Sequence, residues 1–327
     1  MKKILLIALG LMAYSSTFAA DFTVDGVNYT KTSNSEVEVA ALDEKGRKSY
    51  EGDFVIPDEV TYEGVTYKVT GFEEYALRGS DITSIKIGAN VTTIRKQGFR
   101  RCRSLTNVEM TDNTTVIEEE AFYECTALTT IKMSKNLTTI GKSAFDTCSA
   151  LESLVIPDNV TMIDEYVAAG CKALKTLTIG NKVTSIGTSA FKNTAVETIS
   201  LPASVSSLGL TAFGDCNNLK SIYVNSVPDC ATKTVSKTGQ IIYPFAETAF
   251  TTATLYVPVG KKADYQGKEC WKNFTKIEEF DPSAIEVVKF DQAGKDSPYF
   301  NLQGRKQNGK PTTKGIYVVN GRKVAIK

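Results

Sequence analysis

Residues 151–163 read Leu151-Glu-Ser-Leu154-Val-Ile156-Pro-Asp-Asn159-Val-Thr-Met-Ile163, and Ala168 and Cys171 follow shortly afterwards. Leu151, Leu154 and Ile156 are spaced so that all three can point inward from a short strand. Asn159, three residues later, is a residue type that favours a turn. The same spacing recurs every 22 or 23 residues on both sides of this stretch. A repeat of that period therefore decides the fold.

Two columns of residues keep this register over successive copies. The first holds phenylalanine, with Ala168 in one copy, and the second lies three residues later and holds cysteine, with Thr194 in one copy. Because a unit of this size buries its apolar residues only against neighbouring units, we expect both columns to form the core. Their members are Phe99, Phe122, Phe145, Phe191 and Phe213, and Cys102, Cys125, Cys148, Cys171 and Cys216.

The strand part of the unit matches the leucine-rich pattern L-x-x-L-x-L-x-x-N. The asparagine place is filled at 23-residue steps by Asn90, Asn113, Asn136 and Asn159. We therefore predict a leucine-rich-repeat solenoid with a parallel β-strand face and a short helical or irregular convex side. We expect the segment from Ile163 to Ala168 to close the coil as a short helix or helical turn.

The repeat resembles the BspA-like leucine-rich repeat family of exported bacterial surface proteins. The resemblance rests on I-P-D-N-V-T-x-I at 156–163 and S-A-F-x-x-C-x-x-L at 143–151. It implies a non-enzymatic interaction or adhesion solenoid, secreted or at the cell surface, with an extracellular protein partner. The C-terminal tail is similar to type IX secretion sorting signals, and a plain β appendage is the alternative.

Five segments are predicted along the chain. Residues 1–19 have the basic start, ten-residue apolar run and small residues before the cut that mark a signal peptide. An N-terminal β cap follows at 20–70, and seven coils of 22–23 residues occupy 71–228. An insertion, final coil and C-cap fill 229–280, since Phe250 comes 37 residues after Phe213. The basic tail, 281–327, carries Asn-Gly turns typical of β-hairpins.

Composition narrows the function. The chain has no histidine, which removes the usual general base and the commonest metal ligand. Residues 283–327 carry nine Lys/Arg and three Asp/Glu, so the +1 net charge hides an acidic body that argues against nucleic-acid binding. We predict no catalytic site, no cofactor, no metal and no transmembrane segment. We expect an exported protein, at the cell surface or extracellular, with a periplasmic location as the alternative.

Seven cysteines in an exported chain would ordinarily suggest disulfides. Five of them share one repeat column that threonine also fills, so we expect buried, small, apolar thiols there. A spacing of 23 residues matches no zinc pattern. Cys230 and Cys270 lie outside the column, and the sequence leaves open whether they pair.

The outward-facing strand positions form the candidate partner-binding face. The most prominent column consists of Lys86, Glu109, Lys132, Val155, Thr178, Ser200 and Tyr223. Positive and negative side chains alternate down the strand columns. Alternatively, therefore, these side chains only pair with one another between neighbouring coils and bind no partner. An envelope scaffold and a glycan-binding accessory protein are alternative functions. Sugar-binding sites usually contain several aromatic residues, whereas Tyr223 is the one aromatic residue of this face. Aromatic residues of the insertion and cap offer a second contact patch or, alternatively, a plain cap: Tyr243, Phe245, Tyr256, Tyr265, Trp271 and Phe274.

Overall fold

A computed structural model of the chain describes residues 20–41, 50–235 and 238–281, and the backbone of four strands between 299 and 326. The predicted signal peptide, residues 1–19, lies outside the described residues. The described chain winds into a solenoid of about eight turns with little helix. The predicted leucine-rich-repeat solenoid is therefore confirmed.

The N-terminal end is a five-stranded sheet with the order β1-β2-β3-β6-β5. Two tight hairpins shape it, and Asp25-Gly26 and Glu63-Gly64 supply the positive φ angles that such turns require. Its strands are β1 (Phe22–Val24), β2 (Val27–Lys31), β3 (Glu36–Val39), β5 (Glu59–Tyr62) and β6 (Val65–Phe72). Strand β4 (Glu51–Val55) lies outside this sheet and begins the solenoid by pairing in parallel with β7 (Asp81–Lys86).

One side of the solenoid, which we call the main sheet, stacks one short strand from each coil. After β4 and β7 its strands are β9 (Asn107–Glu109), β11 (Thr130–Lys132), β13 (Ser153–Val155), β15 (Thr176–Thr178), β17 (Thr198–Leu201), β19 (Ser221–Val224), β23 (Thr254–Pro258) and β24 (Lys276–Phe280). All paired neighbours are parallel. They form three successive ladders, β4 to β11, β13 to β15 and β17 to β24.

The second side carries two-residue strands, again parallel from coil to coil. They are β8 (Thr93–Ile94), β10 (Val116–Ile117), β12 (Thr139–Ile140), β14 (Met162–Ile163), β16 (Ser185–Ile186), β18 (Ser207–Leu208) and β20 (Asp229–Cys230). Asparagines between the two sides form a ladder that joins successive coils. The Asn113 side chain donates to the carbonyl oxygen of Ala89 (2.8 Å), and Asn136 donates to that of Asp112 (2.9 Å). Each asparagine thus satisfies a backbone group of the preceding coil.

The third side is made of turns. Between Ile163 and Ala168, where a short helix or a helical turn is expected, the described segment forms turns and no α-helix. In the turn segment that begins at Arg95, the N–H groups of Phe99 and Arg101 donate to carbonyl oxygens of the next coil, both at 2.8 Å. Gln97 and Arg101 have φ angles of 53° and 63°. A left-handed residue costs ~1–2 kcal/mol and interrupts a right-handed helix. On this side, backbone hydrogen bonds between successive coils take the place of the hydrogen bonds of an α-helix.

The core runs the length of the solenoid and contains a stack of rings, in which Ala168 takes the place of a ring between Phe145 and Phe191. The rings of Phe99 and Phe122 lie 5.0 Å apart at 5°, and those of Phe122 and Phe145 lie 5.4 Å apart at 8°. After Phe213 the stack continues with Phe245, whose ring lies 5.8 Å away at 9°. Phe245, and not Phe250, follows Phe213 in this column. The insertion therefore returns to the core five residues earlier than the spacing between Phe213 and Phe250 suggests.

The C-terminal end covers the last coil. The insertion contains the hairpin β21 (Lys233–Thr234) and β22 (Ile241–Ile242), and short helices follow at α1 (Ala249–Thr252) and α2 (Lys262–Gln266), with a 3-10 turn at Trp271–Asn273. The tail forms a separate antiparallel sheet of β25 (Tyr299–Asn301), β26 (Lys306–Gln307), β27 (Gly315–Val319) and β28 (Arg322–Ile326). Its ladder pairs Val319 with Arg322, which is the register of a two-residue hairpin.

Candidate functional site

The outer face of the main sheet is positioned by the strand register. Lys86 pairs with Glu109 and Glu109 with Lys132, Val155 pairs with Thr178, and Ser200 pairs with Tyr223. Within each of the three ladders, the predicted face residues therefore occupy one column. The register extends this column at both ends, to Val55 beside Lys86 and to Tyr256 and Glu278 beyond Tyr223.

The first coils of this face satisfy their own polar groups. Thr106 donates its hydroxyl to the carbonyl oxygen of Thr83 (2.9 Å), and Asp53 accepts hydrogen bonds from Thr83 and from Ser84. The bonds from Ser84 and then Thr83 lower the pKa of Asp53. Lys132 lies 2.8 Å from Glu109 and lowers the pKa of that carboxyl. These groups are already engaged between neighbouring coils.

The later coils present polar groups that are not engaged in this way. Four hydroxyls occupy one column on successive strands and have no hydrogen-bond partner among the described residues: Ser153, Thr176, Thr198 and Ser221. Glu197 and Lys220 form one ion pair beside them, at 2.8 Å. Ser153 pairs with Thr176 and Thr198 pairs with Ser221 on neighbouring parallel strands, which lie about 4.8 Å apart, so these hydroxyls form a row of available donors and acceptors.

Two tyrosines lie beside this row, in the neighbouring column of the main sheet. The rings of Tyr223 and Tyr256 stack at 4.5 Å and 8°, and Phe280 meets Tyr223 edge-on at 5.4 Å. All three side chains are half-buried. Burial, with Tyr256 and Glu278 nearby, raises the pKa of Tyr223, which stays neutral at physiological pH. Sequence spacing missed Tyr256, because the insertion separates it from Tyr223 by 33 residues instead of 23.

The cysteine column lies inside the solenoid. All five thiols are fully buried, and the Cys148 thiol donates to the carbonyl oxygen of Phe122 (3.1 Å) in the preceding coil. Burial raises the pKa of Cys102 to about 12 and holds that of Cys148 well above its ordinary value. Because the thiolate is the reactive and metal-binding form, these thiols are structural. Within the described ranges, no group of three His, Cys, Asp or Glu is arranged to hold a metal ion.

Most of the insertion and cap aromatics are also interior. Phe245, Tyr265, Trp271 and Phe274 are buried, and Tyr243 is half-buried. The ring of Phe245 meets that of Trp271 edge-on at 5.5 Å. These buried rings close the end of the core. Within the described part of the chain, no helix combines the length and apolar character that crossing a bilayer requires.

Parallel coils, the asparagine ladder and the ring stack define a leucine-rich-repeat solenoid. A family model described as BspA type Leucine rich repeat region (6 copies) matches residues 70–195, 142–243 and 184–286. These matches together span more than half of the sequence. The chain therefore belongs to the BspA-type leucine-rich repeat family.

The chain is also similar to solved structures of leucine-rich repeat proteins. A leucine rich cell surface protein from Faecalibacterium prausnitzii is 22% identical with a TM-score of 0.58, over 79% of this chain and 72% of that one. A leucine-rich repeat protein from Bacteroides ovatus is 21% identical with a TM-score of 0.44, over 80% and 76%. A Leucine Rich Repeat protein from T. pallidum is 17% identical with a TM-score of 0.44, over 79% and 97%. Comparison with curated proteins gives no match.

Proposed function

We propose that the chain is a non-enzymatic adhesion solenoid, exported to the cell surface, that binds an extracellular protein through the later coils of the main sheet. The observation that carries this proposal is the contrast within one face. The first coils use their polar groups between themselves, whereas the hydroxyl row from Ser153 to Ser221 is available to a partner. Family membership supports the protein-interaction role.

The tyrosine pair gives the face an anchor. Tyrosine supplies a large apolar area with a polar tip, and interface hot spots are enriched in it. Tyr223 and Tyr256 stand beside the hydroxyl row, and the surrounding Ser and Thr side chains are small. A partner that inserts an apolar side chain beside the ring pair would bond its polar groups along the row. Such contacts are individually weak and gain from several copies acting together.

Binding is tested with the purified mature chain and immobilised extracellular matrix proteins. We expect saturable binding that falls at least tenfold in the double variant Tyr223→Ala/Tyr256→Ala. Tyr243→Ala, which changes a half-buried tyrosine of the insertion, is the matched control and should bind as the unchanged chain does. Loss of binding in Tyr243→Ala alone would show that the partner binds at the insertion and not at the main sheet.

Glycan binding is a second candidate, and the tyrosine pair beside free hydroxyls is the observation that favours it. Sugars bind through ring stacking and through hydrogen bonds to hydroxyls. A glycan array separates the two candidates. Saturable glycan binding that is lost with Tyr223→Ala, without binding to matrix proteins, would replace the protein partner by a carbohydrate.

Surface location is tested by protease treatment of intact cells. We expect the full chain to be digested and a chain lacking 283–327 to be protected, because the basic tail is proposed to direct export across the outer membrane. Digestion of both chains would assign the tail no sorting role. Protection of both would favour an envelope scaffold inside the outer membrane.

A further inference from the structure

Two of the seven thiols stand apart from the buried column. Cys230 lies on β20, the last strand of the second side, and is half-buried. Cys270 lies just before the 3-10 turn and is fully buried. Side-chain contacts hold together the two segments that carry these cysteines, although 40 residues of sequence separate Cys230 from Cys270. Both are free thiols in this structure.

The backbone on both sides of this thiol pair is held in place. Trp271 donates its ring N–H to the carbonyl oxygen of Pro228 at 2.8 Å, and Lys268 forms an ion pair of 2.7 Å with Asp229. The Tyr265 hydroxyl donates to the carbonyl oxygen of Ser226. Three contacts thus join the segment before Cys230 to the segment around Cys270. Both cysteines therefore lie at a fixed seam between two parts of the chain.

This seam closes a sheet edge. Among the described residues, β20 pairs with β18 on one side and with no strand on the other. An open strand edge is a template for unwanted pairing, and proteins cover such edges with loops or helices. Here the segment from Tyr265 to Trp271 covers it. Cys270 has a φ of 73°, a conformation that non-glycine residues rarely adopt, and the seam maintains it beside Cys230.

We propose that Cys230 and Cys270 are a cross-linking site, at which a disulfide locks the C-terminal cap onto the last strand of the second side. The reaction needs a disulfide oxidant, such as oxidised glutathione. The Cys230 thiolate attacks one sulfur of the oxidant and releases one thiol. The Cys270 thiolate then attacks the Cys230 sulfur and releases the second thiol, so that two protons and two electrons leave the protein.

The cysteine column does not compete for this reaction. Its thiols are fully buried, and each donates to a backbone carbonyl oxygen, as Cys171 does to Phe145 at 3.2 Å. Cys230 is the one cysteine that is not fully buried in the folded chain. An oxidant in solution therefore reaches the seam first. This inference is independent of the partner that the main sheet binds.

The test uses the full chain, reduced, freed of reductant and incubated with oxidised glutathione. We expect the seven thiols to fall to five when they are counted after unfolding, and we expect peptide mapping to find Cys230 joined to Cys270. Seven remaining thiols, a stable glutathione adduct on Cys230, or a link within the column would each overturn the proposal.

Stability gives a second readout. Oxidation should raise the melting temperature by roughly 5–15 °C, because the cross-link restricts the unfolded chain. Cys230→Ser changes a half-buried residue and should remove this oxidant-dependent rise, whereas Cys171→Ala should retain it. An equal rise in Cys230→Ser and in the unchanged chain would refute the cross-link.

Discussion

Arg95, which follows strand β8, forms an ion pair with Glu38 of the N-terminal sheet. The Glu38 side chain is 12% exposed and that of Arg95 is 42% exposed, so the carboxylate is the more deeply placed partner. The pair links a strand of the cap to the first coil that carries both sheets. It is a polar joint between two parts that also meet through the rings of Phe72 and Phe99.

Arg95→Met should destabilise the chain by ~1–3 kcal/mol, because it leaves a nearly buried carboxylate without its partner. Glu38→Gln should cost less, since it removes the buried charge together with the pair. Arg103→Met is the matched control, because Arg103 is 63% exposed and pairs with Glu124, and it should cost under ~1 kcal/mol. Urea unfolding measures all three. Equal costs for Arg95→Met and Arg103→Met would contradict the assigned burial.

Phe145→Ala should cost ~3–5 kcal/mol, because it empties a fully buried place in the ring stack. Tyr166→Ala removes an aromatic ring of similar size from a side chain that is 36% exposed, and should cost under ~1 kcal/mol. The midpoint and slope of urea unfolding separate the two variants. A cost under ~0.5 kcal/mol for Phe145→Ala would remove this phenylalanine from the core.

Stability should fall as the pH rises above 9. Burial raises the pKa of Cys102 from 9.0 to about 12, so between these values the unfolded chain loses a proton that the folded chain keeps. The unfolded state then binds fewer protons, and the free energy of unfolding decreases by ~1.4 kcal/mol per pH unit for this thiol. The loss reaches about 4 kcal/mol at pH 12.

Two variants isolate the contribution of Cys102. Cys102→Ala and Cys102→Thr both lack the thiol, so both should show a shallower fall in unfolding free energy between pH 9 and pH 12 than the unchanged chain. Urea unfolding at a series of pH values measures the slope. The same slope in the unchanged chain and in both variants would show that Cys102 keeps an ordinary pKa in the folded chain.

Tyr265→Phe should destabilise the C-terminal end by ~1–2 kcal/mol, because the part-buried carbonyl group of Ser226 loses its donor. Tyr243→Phe removes the same atom from an exposed bond to Glu269 (3.2 Å) and should cost ~0–0.5 kcal/mol. Trp271 is the one tryptophan of the chain and is buried beside Tyr265, so its fluorescence reports this end directly. Indistinguishable midpoints would place the Tyr265 hydroxyl outside the seam.

The period of the sequence was enough to predict the solenoid. The spaced apolar residues Leu151, Leu154 and Ile156 indicate a strand, and repetition at 23 residues indicates stacking. The turn side could not be predicted in this way. Gln97 and Arg101 adopt left-handed conformations, yet neither is a residue type that signals one. Their conformations follow from bonds to the next coil, which local propensity does not contain.

The ends were harder to predict for a different reason. The insertion breaks the period, and nothing in the spacing indicates that Phe245 instead of Phe250 rejoins the ring stack. The same break hid Tyr256 as the neighbour of Tyr223. The column through Lys86 and Tyr223 could be aligned from sequence, whereas the division of the face into engaged and available halves depends on side-chain bonds. The role of that face in binding stays a prediction.

The ladder of the turn side has a consequence for how such a chain can change. Phe99 bonds to Ala121, Phe122 to Ala144 and Phe145 to Val167, so each coil holds its successor by the same backbone groups whatever its side chains are. Whole coils are therefore interchangeable parts. An in-frame duplication or loss of one 23-residue unit, for instance 123–145, would rejoin matching edges, and the reach of the molecule could lengthen or shorten by single strand spacings while its fold stayed the same.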